Sequence, residues 1–435
     1  MGFHNVETPR DEDTPLLSNT PAQYNLSSKF KTFANIFISI VGSGVLGLPY
    51  SFKKTGWVTG LFMLFLVAFL TYHCMMLLVH TRRKLHYSNV GSPKINSFGD
   101  LGFVISGHLG KLCIDVMIVI SHCGFCVSYL IFISTTLAFL AGGTSAWPLF
   151  WGLTPKVLFL WGCFPFQLGL NAIPTLTHLA PLSIFADFVD IAAKGVVMVE
   201  DVFVFMKNRP PLEAFGGWSM FFYGLGVAVY AFQGIGMVLP LESEAKDKEK
   251  FGGVLGLGMF LICLLYVAFA ALGYFAFGEE TQGIITTNLG QGVVSAFVQL
   301  GLCINLFFTF PLMMNPVYEV VERRLCDYKY CLCLRWLLVL GVSLVALLVP
   351  NFADLLSLLG SSICVILGFV LPAMFHYLVF KEEMSRSCML WDWALVGFGL
   401  LIAVIGTWSS LMHILTSPNA SLLIQEQVSS LLPVT

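Results

Sequence analysis

Gly42-Ser43-Gly44-Val45-Leu46-Gly47-Leu48-Pro49 interrupts one long apolar run, and Gly234-Ile235-Gly236-Met237-Val238-Leu239-Pro240 interrupts another. Both place Gly-x-Gly a few residues ahead of a proline. Lipid offers no partner to a bare peptide N–H or C=O, and each one left unpaired costs several kcal/mol. A span therefore comes undone at depth only beside a cavity holding water or ligand. Glycine permits the unwound dihedrals and leaves the backbone open to close approach. Such interruptions at corresponding positions of two halves point to a binding site made from broken helices. The competing reading is that small residues merely let helices pack tightly.

The rest of the chain supplies the bilayer setting. Of 435 residues 57% are hydrophobic and 11% charged, and the mean hydropathy is +0.82, whereas a soluble domain carries roughly 25% charged residues. A net charge of -2 excludes the broad basic surface that nucleic acid requires. The polar, acidic start (Glu7, Asp11, Glu12, Asp13) has no hydrophobic core of signal-peptide length, so no cleaved leader is expected. The 12 Cys lie singly in apolar runs and read as small buried hydrophobes rather than a disulfide or zinc framework. No Walker loop, H-E-x-x-H or G-x-S-x-G motif sits on a plausible element, so neither enzyme chemistry, a cofactor nor a metal is expected.

Apolar runs bounded by Lys/Arg, Pro or Gly predict an all-α polytopic membrane protein with eleven transmembrane helices. They fall at about 30–52, 56–80, 112–141, 156–173, 178–206, 218–239, 253–277, 291–322, 334–350, 353–380 and 391–415. Placing the N-terminus in the cytosol puts seventeen of the 23 Lys and Arg on that side and five opposite, with Lys194 inside the membrane. The C-terminus is then luminal, and Asn419-Ala420-Ser421 would be a luminal glycosylation triplet. The domain reading is a disordered cytosolic tail over 1–28, a transmembrane unit over 29–415 and a luminal tail over 416–435. Residues 81–111 read as the longest cytosolic loop, with a short interfacial helix over 97–107, and Leu241 to Lys250 as a solvated linker between the halves.

The chemistry of the two breaks suggests their ligand. Freed amides around Ser43, Gly44 and Val45, at the positive end of a half-helix, suit a carboxylate. Freed carbonyls around Ile40 and Val41, next to Gly42, and around Tyr230 and Ala231 suit an ammonium. An α-amino acid fits both ends. Phe232 at the second break could cover an apolar substrate side chain, and Tyr129 could bound the pocket through its ring and hydroxyl.

These residues resemble the amino acid/auxin permease family, and within it the proton-coupled amino acid transporters and plant vacuolar neutral amino acid exporters. The likeness rests on Val41 to Pro49, Gly124-Phe-Cys-Val-Ser-Tyr129, Val238-Leu-Pro-Leu-Glu242 and Thr309-Phe-Pro-Leu312, and runs over about 28–415. It implies a fold of the amino acid-polyamine-cation (LeuT-like) type, with an inverted 5+5 repeat, broken helices 1 and 6, and proton-linked alternating access. Tyr129 matches a family Tyr near the site. Asn35 stands six residues before Val41, where proton-coupled animal relatives carry His, so the proton must be handled elsewhere or not at all. Met313 follows Pro311-Leu312 where the family often has Gln, which tilts the expected substrate toward larger neutral or aromatic amino acids.

Lys194, mid-span with Asp190 four residues earlier on the same face, is the leading candidate for proton coupling. In some distant relatives of this fold a Lys in the fifth helix stands where others bind sodium. A static pair holding helices together is the competing reading. His122, whose ordinary pKa lies near an acidic lumen, is the second candidate. Glu12-Asp13-Thr14-Pro15-Leu16-Leu17 is an acidic dileucine pattern, with Glu12, Leu16 and Leu17 as its anchors for a sorting adaptor. The reading that results is a proton-coupled carrier exporting neutral amino acids from a vacuole to the cytosol. Its partners are the amino acid, protons, the bilayer and a sorting adaptor, with no nucleic acid. A sensor that binds amino acids and signals through the N-tail without net flux is the alternative. A channel is disfavoured because no filter loop is apparent.

Overall fold

The first apolar run does not form one helix. In the computed structural model, which describes residues 27–88, 95, 97–142, 154–173, 180–290, 292–327, 329–349 and 351–416, α1 (Lys29–Ile40) stops before Gly42, whose backbone is extended. A 3-10 turn over Ser43–Gly47 then leads into α2 (Leu48–Thr55), and the two pieces meet at 46°. Pro49 lies in the first turn of α2, where a missing N–H costs nothing. The second punctuated run behaves similarly. After α3 (Trp57–Ser88), α4 (Phe98–Leu140), α5 (Pro155–Asn171) and α6 (Ala180–Asn208), α7 (Trp218–Ala231) ends at Phe232. The chain resumes as α8 (Ile235–Glu244) beyond Gly234.

The remainder is α9 (Phe251–Phe277), α10 (Val293–Leu325), α11 (Leu332–Leu348), α12 (Phe352–Leu359), α13 (Leu371–Phe380), α14 (Arg386–Leu401) and α15 (Thr407–Thr416). α12 joins α13 through π-helical turns over Gly360–Cys364 and Ile366–Val370, and α14 joins α15 through another over Ile402–Gly406. Such turns widen a helix locally and concentrate at functional sites. Among the described residues seven helices are long and apolar enough to cross a bilayer, or eight with the bent α1–α2 pair counted as one span. α5 and α11 have 17 residues each, and α6 carries five charged residues in its middle.

α4 lies along α10, α6 along α9 and α10, and α7 is enclosed by α2, α3, α12 and the turn at Gly360. Glycine makes the last contact possible, since a Cβ on Gly360 would fall 1.8 Å from the Gly226 carbonyl oxygen. The outer surface is apolar, with Phe62, Phe65, Phe69, Phe188, Phe203 and Phe297 all exposed, which is the reverse of a protein dissolved in water.

One end of the bundle is held by ion pairs. Arg82 and Arg83 grip the buried Glu242 at 2.8 and 3.1 Å, Arg323 meets Asp115 at 2.5 Å, and Lys84 meets Glu383 at 2.6 Å. Ser27 makes a parallel bridge to Ala245 at the same end. These contacts correct two sequence expectations. The span expected to end near 80 continues as helix to Ser88, because its three basic residues find partners on neighbouring segments, so the loop over 81–111 shrinks. The supposed linker at 241–250 is helical to Glu244, and Glu242 is buried within it. The segment after Ser97 is helical as expected. Gly107, at φ 64°, turns it into the long part of α4. The sorting anchors Glu12, Leu16 and Leu17, and Asn419, lie outside the described residues.

Candidate substrate and ion site at the helix breaks

Gly44 brings the two breaks together. A Cβ there would lie 2.7 Å from the Ala231 Cα, and one on Gly234 would lie 2.6 Å from Ile40 Cγ1. The first break and the end of α7 therefore face one another directly, and at Gly44 and Gly234 only hydrogen substituents fit between them. A helix begins with amides that no preceding turn can accept, which at the 3-10 turn means Ser43 and Gly44 first.

The carbonyls of this junction have specific partners. The Tyr266 hydroxyl, projecting from α9, lies 3.0 Å from both the Ile40 and the Ala231 carbonyl oxygens. One hydroxyl has one proton, so it serves two acceptors incompletely and leaves capacity for another donor. The Phe232 ring rests against Tyr266, with centroids 4.9 Å apart.

Lys194 of α6 donates to the Gly42 carbonyl at 3.1 Å and forms a tight ion pair with Asp190. Both side chains are buried, at 4% and 8% exposure. A charge buried this far requires a partner, and here the pair is tied to the break itself rather than to a distant helix contact.

Ser43, Tyr129 and Tyr230 are all buried, and Tyr230 closes on the first break at Gly44. Tyr230 also meets Ser128 at 2.9 Å, and Phe125 packs edge-on against it at 5.2 Å. The wall beside the first break is thus aromatic with hydroxyl tips, a surface that receives apolar side chains while keeping a few oriented polar atoms.

The structure brings together Ile40, Val41, Gly42, Ser43, Gly44, Val45, Tyr129, Tyr230, Ala231, Phe232, Asp190 and Lys194. It leaves His122 apart from the ion pair. The His122 ring is tied to its own helix, 3.0 Å from the Ile118 carbonyl and 3.3 Å from Ser121, with Phe125 between it and Tyr230. Sequence reasoning missed Tyr266 and Ser128. Neither stands out in the sequence, since Tyr266 shares its apolar helix with Tyr274 and its partners are carbonyls of two other helices.

Tyr266→Phe is expected to lower the melting temperature in detergent, because a buried acceptor left unmet costs about 1–3 kcal/mol. A saturating amino acid should raise the variant's melting temperature more than the wild type's, since its ammonium replaces the lost donor. Equal shifts would place the ammonium elsewhere.

A family model described as transmembrane amino acid transporter protein matches residues 26–412. The chain is 60% identical over 434 residues to amino acid transporter AVT3C of Arabidopsis thaliana, covering 95% of this chain and 99% of that protein. It is 35% identical to amino acid transporter ANT1 of the same plant, over 94% and 98% of the two chains. It is 25% identical to vacuolar amino acid transporter 3 of Saccharomyces cerevisiae, over 92% of this chain and 59% of that one. Among solved structures, Mhp1, a nucleobase-cation-symport-1 family transporter in a closed conformation with bromovinylhydantoin bound, superposes with TM-score 0.54 at 15% identity, over 94% of both chains. MhsT in complex with L-phenylalanine superposes with TM-score 0.52 at 12% identity, over 87% of this chain and 98% of that one. At those identities the likeness is one of fold, that of a helical membrane transporter. The family match spans nearly the whole described chain and takes in both breaks, and on that ground this chain belongs to the amino acid/auxin permease family of transmembrane amino acid transporters rather than to any enzyme family.

Proposed function

We propose that this chain is a proton-coupled carrier that moves neutral amino acids, aromatic ones included, from an acidic vacuole into the cytosol. The observation that carries the reading is the junction of the breaks. Carbonyls of both broken helices converge on one shared hydroxyl, and a buried Lys–Asp pair is hydrogen-bonded to the first of them. Convergent carbonyls suit an ammonium, and amides at the start of the 3-10 turn suit a carboxylate. The charges that reach the break are spent on each other, which favours a substrate with no net side-chain charge. Tyr129, Tyr230 and Phe232 supply an apolar wall.

Coupling follows from the pair. Protonation of Asp190 releases Lys194, and with it the Gly42 carbonyl, so that a proton and the shape of the break are linked. A gradient supplies about 1.36 kcal/mol per pH unit, roughly tenfold accumulation per unit. In this reading α5, α6 and α11 also cross the bilayer, giving eleven spans as two inverted sets of five and one more. The N-terminus is cytosolic and the end rich in ion pairs faces the cytosol, in keeping with its excess of Lys and Arg.

Uptake of a panel of labelled amino acids into proteoliposomes, with and without an acid compartment, tests the reading. Counterflow separates carrier from sensor, because a sensor binds without exchange. The expected result is gradient-dependent flux of neutral amino acids, and binding without exchange would reject it. Vacuolar placement is proposed to depend on the N-tail. Changing Leu16 and Leu17 to Ala should move a tagged chain to other membranes, with the cell surface as the expected destination. Retention on the vacuole, seen by microscopy, would count against the motif.

A further inference from the structure

Asp201 is fully buried on α6, at 0% exposure, and neither of its carboxyl oxygens has a hydrogen-bond partner. It lies seven residues after Lys194, two turns along the same face and about 10 Å away, and continues a stripe that begins with Asp187 and Asp190.

The elements packed against α6 are α9, α10 and the 3-10 turn over Ile285–Leu289. Their titratable groups are engaged elsewhere or offer no counter-charge. Tyr266 serves the two break carbonyls, Cys263 the Leu64 carbonyl, and Tyr274 the Glu213 amide and Glu279. On α10, Cys303 and Tyr318 are neutral, and Tyr318 bonds Asn171. Arg323 and Arg324 bond Asp115, and Glu322 bonds Arg335. Those charges and Glu319 stand at the far end of α10, and on α6 itself the neighbour is another carboxyl, Glu200.

No donor reaches either carboxyl oxygen of Asp201. α6 packs against α10, where Gly301 approaches Val189, and against the turn at 285–289. On that turn Thr286 Oγ1, and on α10 Gln299 Oε1, are likewise buried without a partner, although the Gln299 amide donates to the Thr286 carbonyl at 2.7 Å. An ionised carboxylate in such a place would carry an unpaired buried charge. Protonation removes the charge and creates a donor at once.

We propose that Asp201 is a proton-binding site, the intake on the luminal half of α6 through which protons reach the Lys194–Asp190 pair. This rests on the reading of proton-coupled transport given above. A hydronium ion in the lumen gives its proton to the Asp201 carboxylate and leaves as water. Water carries the proton inward over the eleven residues, about 16 Å, to Asp190, which becomes neutral and frees Lys194, and Asp201 returns to its ionised form. Release of the proton from Asp190 to the cytosolic side restores the pair.

The test uses the full chain in proteoliposomes and compares wild type, Lys194→Met, Asp201→Asn and Asp201→Glu. The quantity read is gradient-driven uptake divided by counterflow at equal pH. For wild type each pH unit should multiply this ratio up to about tenfold. In Asp201→Asn the ratio should not respond to the gradient, and Asp201→Glu should restore the response with a shifted pH midpoint. An Asp201→Asn variant that responds as wild type does, while Lys194→Met does not, overturns the intake and leaves the coupling intact. A wild type indifferent to the gradient overturns the coupling itself. Should Asp201→Asn fail to reach the membrane, Asp201→Glu decides alone, because an unchanged midpoint in that variant overturns the proposal.

Discussion

Lys194→Met is expected to abolish the dependence of transport on a pH gradient. Met preserves much of the bulk and removes the ammonium, so the Gly42 carbonyl loses its donor at 3.1 Å and Asp190 loses its counter-ion. Removing one partner of a buried pair costs about 3–5 kcal/mol, and the single variant should therefore melt at a lower temperature. That loss alone does not distinguish coupling from a structural pair. Adding Asp190→Asn removes the stranded charge and should recover most of the stability. The two readings then separate, because a static strut predicts that the double variant regains gradient-driven uptake, whereas coupling predicts a stable protein that exchanges amino acids at a rate indifferent to pH. Uptake with an imposed gradient, set against counterflow without one, makes the measurement. Undiminished proton-driven flux in Lys194→Met would reject the role.

What the sequence disclosed and what it withheld divide along physical lines. A charge inside an apolar run is conspicuous because bilayer depth penalises it, and that is why Lys194 and Asp190 stand out in the sequence alone. The Gly-x-Gly segments ahead of Pro49 and Pro240 were legible for a related reason, since few sequences interrupt a span without need. Tyr266 was not legible. One tyrosine among 13 looks like core filling until its hydroxyl is seen between two carbonyls from different helices, a relation set by tertiary packing and by nothing in its neighbours along the chain. His122 shows the converse. Its chemistry attracted attention, but its ring is occupied by the carbonyl of Ile118 one turn back, a local bond that composition cannot reveal. Helix ends were misjudged where ionic partners lay far away in sequence, as with Arg82 and Arg83, whose hold on Glu242 carries α3 beyond its apolar stretch.

Gly44→Val is expected to eliminate both gradient-driven uptake and counterflow while leaving a folded protein. The contact at Gly44 is with backbone, because a Cβ would stand 2.7 Å from the Ala231 Cα and 3.0 Å from Tyr230 Cδ1. A flexible side chain could swing away, but a main-chain atom at the end of α7 cannot move without shifting the carbonyl that Tyr266 holds. Forcing extra carbon into a packed junction costs typically about 1–3 kcal/mol, a penalty borne by the state in which the breaks meet. A carrier that alternates access must pass through a closed arrangement with ligand held at the junction. Valine therefore removes an obligatory step rather than weakening the whole fold, and exchange should fail even where no net driving force is required. Gly236, on the second break's own motif, supplies the contrast. An added Cβ there meets nothing within 4 Å, and Ala in place of Gly within α8 favours the helix by about 0.8–1.0 kcal/mol. Gly236→Ala should accordingly match or exceed the wild type in thermal stability. Gly44→Val should remain monodisperse in detergent, with labelled amino acid exchange at background. Exchange at wild-type rates in Gly44→Val would mean that the breaks do not close on one another during transport.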